Sequence, residues 1–187
     1  MNRLQRTLAK LDGLPSALRG PARNFALRRA VPLTGTAGLD FVALTPERSE
    51  IRIANKRAVQ NHIKGVHAAA MTLVAETATG MVVGMNVRDD CLPLCKSLSV
   101  AFKKRATGAL RAEAHLSAEQ RALLASQTKG EVKVAVTVTD EAGIEPIQCE
   151  FVWAWVPKEK PQSQDLAGQT AARARASRRP QPTKERP

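Results

Sequence analysis

Aromatic side chains are scarce in this chain: they make up 3% of its 187 residues, and tyrosine is absent. Proteins that bind single-stranded nucleic acids usually stack bases on aromatic side chains, so this scarcity argues against that class. The net charge of +12 is concentrated at the ends, because residues 1–30 carry +6 and residues 158–187 carry +5, which leaves +1 for residues 31–157. We therefore expect a nearly neutral folded part and no nucleic-acid partner, although the basic ends leave open a weak contact with RNA or anionic lipid.

Cysteine is also rare, with an odd total of three: Cys91, Cys95 and Cys149. The odd number and the lack of a signal-peptide pattern predict a reducing, cytoplasmic location. A mitochondrial presequence in the arginine-rich N-terminal segment is the minor alternative. Cys91 and Cys95 lack two companion ligands at the spacing of a zinc site, so we expect no metal. Nothing in the sequence indicates a bound cofactor.

Charge is almost missing from one long stretch, residues 68–87, which reads AAAMTLVAETATGMVVGMNV. Its length suits a membrane span, but three threonines, two glycines, one asparagine and Glu76 favour a buried helix and no transmembrane segment. Glu76 is the only ionisable residue in the stretch. A lone carboxylate is costly to bury, so Glu76 either faces water or is retained for chemistry.

Hydrophobic periodicity predicts the remaining elements. Helices are expected in residues 3–30, with breaks near residues 13–15 and 20–21 where glycine and proline occur together. A long helix is expected from about residue 67 to residue 85, and a capping box at residues 117–120 predicts a short one. Alternating apolar residues predict strands at residues 38–45, 50–55, 96–103, 108–115, 131–139 and 145–156.

Strands outnumber helices after the long helix, and the turns between them are short. This order predicts an α+β fold in which one antiparallel sheet wraps around the long central helix. We divide the chain into an N-terminal amphipathic helical segment (residues 1–34), the α+β domain (residues 35–157) and a basic disordered tail (residues 158–187).

Three polar residues accompany the long helix at fixed spacing: Asn61, then His67 six residues later, then Glu76 nine residues after the histidine. This pattern resembles the signature of hotdog-fold thioesterases of the PaaI-like branch, where an asparagine precedes His-Gly-Gly and then an acid. Residues 96–108, KSLSVAFKKRATG, resemble the strand that follows in that family. The chain departs from the signature at Ala68 and Ala69, which replace the two glycines, so it resembles a divergent and poorly characterised subgroup.

The resemblance implies a hotdog fold and hydrolysis of an acyl thioester such as acyl-CoA, with coenzyme A as part of the substrate and no other cofactor. Its catalytic residues would be Glu76 as general base or nucleophile, Ala68 as oxyanion donor through its N–H, and Asn61 and His67 as orienting groups. A helix start offers unpaired N–H groups to a developing oxyanion, and an apolar setting raises the pKa of a carboxyl toward the range that a base needs.

The distance between Ala68 and Glu76 along the helix predicts a homodimer. Ala68 and Glu76 lie about 12 Å apart along a helix at ~1.5 Å per residue, too far to reach one carbonyl. A homodimer with antiparallel helices solves this, because Glu76 then faces the partner's Ala68; a tetramer is the further alternative. Substrate contacts are expected from a further set of residues: Gly65, Thr72, Cys95, Lys103, Lys104 and Arg105.

Each assignment has a structural alternative. Glu76 could line a solvent-facing seam with Thr72 and Thr79, His67 could be a helix cap, and Cys95 could be a buried, inert thiol. Residues 103–105 could be a solvated strand end. For the whole protein, the alternatives to a thioesterase are a non-catalytic hotdog module that binds acyl-CoA or acyl chains, and a basic-tailed adaptor for RNA or membrane surfaces.

Overall fold

The uncharged stretch around Glu76 folds as one long helix, α4, which spans Ala68–Gly84. Its side chains are apolar on nearly every side, and nine of them are buried. Removing this apolar area from water stabilises the fold at roughly 25 cal/mol per Å². The predicted long buried helix is therefore confirmed. Within residues 1–159 no helix combines the length and the apolar character needed to cross a membrane.

The computed structural model describes residues 1–159, of which Met1–Pro157 form one folded unit. From residue 160 onward, the tail expected at residues 158–187 lies outside the described residues. The elements are, in chain order, α1 Arg3–Asp12, α2 Ser16–Ala30, α3 Pro32–Ala37, β1 Asp40–Leu44, β2 Arg48–Ile53, a 3-10 turn Arg57–Val59, α4 Ala68–Gly84, β3 Cys91–Phe102, β4 Leu110–His115, α5 Ala118–Ser126, β5 Gly130–Asp140 and β6 Ile147–Pro157.

All six strands join one antiparallel sheet in the order β1-β2-β4-β5-β6-β3, and the sheet packs on α4. The expected α+β architecture is confirmed. The capping box is also present, since Ser117 accepts from the Gln120 N–H while the Gln120 side chain accepts from the Ser117 N–H.

The inner face of the sheet consists of the apolar residues that alternate with other residues along the strands. Phe151, Trp153 and Trp155 of β6 share this face and are buried, as predicted. The Trp153 ring is held by a 2.9 Å hydrogen bond from its Nε1–H to Thr79 Oγ1 on α4. It lies so close to Gly80 that an added Cβ there would sit 2.8 Å from the ring, so only glycine allows this approach.

Strand β3 forms one edge of the sheet and begins at Cys91, earlier than the predicted residue 96. It includes Pro93, which an edge strand tolerates because its backbone nitrogen need not donate to a neighbour. A bulge at Lys96 interrupts the pairing with β6, between Cys95 opposite Trp153 and Ser97 opposite Val152. Beyond the bulge, Leu98 lies opposite the buried Phe151, so it faces the helix as Cys95 does.

The N-terminal helices pack on the same unit. Asn2 and Gln5, at the start of α1, donate to the carbonyls of Gly84, Val87 and Met85 at the end of α4. The predicted break at residues 13–15 is present, whereas the break predicted at residues 20–21 is wrong, because α2 continues through Pro21. Pro21 leaves one exposed carbonyl without a helical partner near the helix start, where water can replace the lost hydrogen bond.

Candidate active site

An open cleft of about 660 Å³ lies against the first half of α4. Its walls come from α3 and the residue before it, from the 3-10 turn, and from one stripe of α4. The lining residues include Val31, Leu33, Thr34, Val59, His67, Ala69, Thr72, Leu73 and Glu76. The cleft therefore brings together three of the residues selected from the sequence, namely His67, Thr72 and Glu76.

Glu76 is half-buried in the wall of the cleft. Burial raises the pKa of its carboxyl above the ordinary value of 4.5, and the neighbouring Thr77 hydroxyl lowers it in part. That hydroxyl makes no hydrogen bond of standard geometry within residues 1–159, so we treat desolvation as the dominant influence on Glu76. A carboxyl with a raised pKa can exchange protons at a higher pH than an exposed glutamate.

His67 forms the N-cap of α4. Its Nδ1 accepts a 3.0 Å hydrogen bond from the Ala69 N–H, and its backbone N–H donates to Val59 O at 2.8 Å. Because Nδ1 accepts, the neutral ring carries its proton on Nε2. The structural alternative for His67 is thus realised, and the ring also borders the cleft.

The backbone N–H of Ala68 is the unpaired donor in the first turn of α4. The N–H groups of Ala70 and Met71 donate to the His67 carbonyl, and that of Ala69 is taken by the ring. The Ala68 N–H has no hydrogen-bond partner among residues 1–159. An unpaired N–H at the positive end of a helix dipole is suited to an anionic oxygen.

Replacing His67 separates capping from any further role. Loss of the cap in His67→Ala is expected to lower the free energy of unfolding by about 1 kcal/mol. In His67→Asn the side-chain oxygen can accept the same N–H, so most of that stability should return. Denaturant unfolding of both variants measures this. Equal stability of His67→Ala and the unmodified protein would contradict the cap.

Asn61 closes the loop that leads to α4. Its Oδ1 accepts from the N–H groups of Ile63 and Gly65 at 3.1 Å each, and its own N–H donates to Gly65 O. Lys64 in this loop has φ 62°, a left-handed conformation that costs a non-glycine residue about 1–2 kcal/mol. The Asn61 oxygen is therefore committed to the loop, and Gly65 is buried within it.

The two threonines expected along one seam with Glu76 are separated. Thr72 lies in the cleft, where its hydroxyl donates to Ala68 O at 3.1 Å. Thr79 is fully buried and bonded to Trp153, so the prediction that it shares the seam is wrong. Three residues beyond Glu76, the helix has turned this side chain toward the sheet.

Cys95 is exposed, so the expectation of a buried thiol is also wrong. The reason is its position on the edge strand β3, where no further strand covers it. It lies opposite Trp153 and hence faces α4. Partial desolvation, and secondarily the charge of Glu76, raise the pKa of its thiol. Cys95 is thus near Glu76, as a substrate-contacting residue would be.

The basic cluster, Lys103, Lys104 and Arg105, follows β3 and is exposed. The fold brings it to the loop before α4, because Arg105 Nη2 donates to Ile63 O at 3.3 Å. The cluster does not line the cleft but lies beside the loop that leads to the helix start. No three His, Cys, Asp or Glu side chains within residues 1–159 are placed to share a metal ion.

Sequence reasoning missed the contribution of the N-terminal segment to this site. Val31, Leu33 and Thr34 form one wall of the cleft, although residues 1–34 were expected to be a separate segment. The sequence offers one weak signal: Val31 and Leu33 are apolar residues on either side of a proline, in a segment otherwise rich in arginine. In the structure both side chains are exposed, as residues that line an open cleft can be.

Solved structures resemble this fold. One is a protein of unknown function from Pseudomonas aeruginosa described as a probable thioesterase (TM-score 0.65, 22% identity, 78% of this chain and 97% of that chain). Another is a putative thioesterase from Shewanella oneidensis (TM-score 0.62, 14% identity, 73% and 96%). A third is a thioesterase from Haemophilus influenzae (TM-score 0.58, 9% identity, 70% and 86%). At these identities the likeness shows a shared fold.

Sequence comparison shows the family directly. No curated protein matches the chain. The family model described as a domain of unknown function, DUF4442, matches residues 22–156, which include α3, α4, most of α2 and all of the sheet except Pro157. The protein therefore belongs to the DUF4442 family and has the fold of structures named as thioesterases.

Proposed function

We propose that this protein hydrolyses acyl thioesters, with acyl-CoA as the substrate and Glu76 as the general base. The observation that carries the proposal is a half-buried carboxylate with a raised pKa in the wall of a largely apolar cleft. The thioesterase names of the structural neighbours support it, as does the free Ala68 N–H at the start of the same helix.

The reaction follows from the chemistry of these groups. The Glu76 carboxylate takes a proton from water, and the water oxygen attacks the thioester carbonyl carbon. The carbonyl oxygen becomes an oxyanion, which an Ala68 N–H stabilises by donating to it. The C–S bond then breaks, and the departing thiolate takes the proton that Glu76 received. Direct attack by the carboxylate is the alternative first step.

A homodimer is part of the proposal, because Ala68 and Glu76 of one chain are eight residues apart on one helix. The single chain leaves suitable surfaces uncovered. Ala68, Ala69 and the edge strand's Leu98 and Phe102 are exposed, and Phe102 lies opposite the buried Ile147, so both β3 residues face the helix side of the sheet. A partner placed against these surfaces would bring its Ala68 toward Glu76.

The basic cluster is proposed to bind the phosphates of coenzyme A. Lys103 and Lys104 have no ion-pair partner within residues 1–159, so their charges are available to an anion. Arg105 ties the cluster to the loop that leads to α4. Coenzyme A bound there would lead its thioester toward the helix start.

A panel of acyl-CoAs with a thiol-reactive dye tests the function. We expect release of free coenzyme A from at least one acyl-CoA, in proportion to enzyme concentration. Glu47→Gln is a suitable control variant, since Glu47 is an exposed partner of Arg121 and lies outside the cleft. Absence of thiol release across the panel would contradict the hydrolase.

One observation favours a second candidate, a non-catalytic module that binds acyl-CoA. Ala69 borders the cleft, where the resembled family has a glycine, and its Cβ occupies space next to the helix start. Binding of acyl-CoA by calorimetry without thiol release would identify this module.

A further inference from the structure

A second cavity of about 200 Å³ borders the cleft at Glu76. The two cavities share three lining residues, Val31, Thr34 and Glu76, so Glu76 lies at the boundary between them. The second cavity lies between α2, β1 and the middle of α4. Its remaining walls come mainly from Leu27, Phe41, Met81 and Trp153.

The chemistry of this cavity suits a hydrocarbon. Away from Glu76 and Thr34, its lining is apolar apart from the Thr77 hydroxyl, which is buried and makes no hydrogen bond of standard geometry within residues 1–159. The apolar part of such a cavity is suited to taking up an apolar ligand. A charged or strongly hydrated group would lose its solvation there without a partner.

The far wall of the cavity is rigid. Trp153 is locked by its hydrogen bond to Thr79, and its ring lies against Gly80 without space for one more carbon atom. Leu27, which is buried and belongs to α2, supplies a further part of the wall. At about 30 Å³ for each water-sized group, the cavity holds on the order of seven carbon atoms.

We infer that this cavity binds the acyl group of the thioester and that Trp153 and Met81 limit its length to about that of an octanoyl group. The inference rests on the proposed thioesterase function. It assigns different tasks to the two protomers: the chain that supplies Glu76 also holds the acyl tail with its own N-terminal helices, while its partner supplies the oxyanion donor.

Substitution of Met81 tests the length limit, because this side chain is half-buried and tolerates a change of volume. Met81→Phe should fill the cavity and lower kcat/KM for octanoyl-CoA relative to butanoyl-CoA by about tenfold or more. Met81→Ala should move the optimum toward decanoyl-CoA. Leu123 is a matched control, since it is half-buried on α5 and lines neither cavity. Leu123→Ala and Leu123→Phe should leave the profile unchanged.

A binding measurement keeps this test independent of catalysis. The chain has two tryptophans and no tyrosine, so Trp155→Phe leaves Trp153 as the only strong intrinsic fluorophore. Titration of that variant with octan-1-ol, a neutral probe, should change the Trp153 emission saturably, and adding Met81→Phe should weaken the binding by about tenfold.

The outcomes distinguish the two proposals. Octan-1-ol binding that Met81→Phe weakens would support the acyl cavity even if no acyl-CoA is hydrolysed. Hydrolysis with a chain-length profile that neither Met81 variant alters would overturn the cavity while leaving the thioesterase intact. The absence of saturable octan-1-ol binding would overturn it as well.

Discussion

Glu76→Gln is expected to lower thioester hydrolysis by about 10²–10⁴-fold, the usual contribution of a general base. Glutamine has the same shape as glutamate but cannot accept the proton of the attacking water. The measurement is release of free coenzyme A from the best acyl-CoA of the panel. Turnover that survives in Glu76→Gln would remove Glu76 as the base or nucleophile, and Glu47→Gln controls for the loss of a negative charge.

The same substitution should not destabilise the fold. Burial raises the pKa of Glu76, so the carboxyl contributes stability that is complete below its ordinary value of 4.5 and is lost as the pH rises through the raised value. Glutamine avoids this loss of stability at high pH, because its side chain does not ionise and places no charge in the buried site. We expect the melting temperature of Glu76→Gln at pH 8 to equal or exceed that of the unmodified protein. For the proposed hydrolysis by the unmodified protein, kcat/KM should rise with pH through the raised pKa.

Ala68→Pro is expected to lower hydrolysis by about 10²–10³-fold, because it removes one oxyanion donor. Proline is well tolerated at the first position of a helix, where the N–H lacks a helical partner anyway. His67, which precedes it, already has φ −65° and ψ 145°, the extended conformation that proline requires of the residue before it. Circular dichroism should therefore show an unchanged helix content.

Mixing the two inactive variants tests the shared site. In a heterodimer of Glu76→Gln and Ala68→Pro, one of the two sites combines an intact Glu76 with an intact Ala68 from the other chain. Random exchange should restore about a quarter of the unmodified activity, since half of the dimers are mixed and each has one good site. If the mixture stays inactive although native mass spectrometry shows heterodimers, the two residues do not act across an interface.

Local patterns were sufficient to predict most of the fold. Helix α4, the capping box at Ser117 and the buried face of Phe151, Trp153 and Trp155 each depend on residues close together in the sequence. The start of β3 was missed because Pro93 is a poor strand residue, and only the position at a sheet edge makes it acceptable.

The site was harder to predict, since its geometry depends on contacts between distant parts of the chain. The motif located Glu76 and His67, helical spacing added Thr72, and all three share the cleft. It could not show that the Asn61 oxygen is occupied by its own loop or that Cys95 is exposed. The wall supplied by Val31 and Thr34 comes from a helical segment that packs on α4 from about forty residues earlier in the chain, and no local periodicity encodes such packing.

The bulge at Lys96 determines which side chains of β3 face the helix side of the sheet. With it, Leu98, Val100 and Phe102 point toward the helix side. If Lys96 paired as a regular strand residue, alternation from Cys95 would instead place Ser97, Ser99 and Ala101 on that side. The extra residue thereby gives this edge of the sheet an apolar character in place of a hydroxyl-rich one, and a deletion of Lys96 would straighten the strand while leaving Leu98, Val100 and Phe102 on the same side.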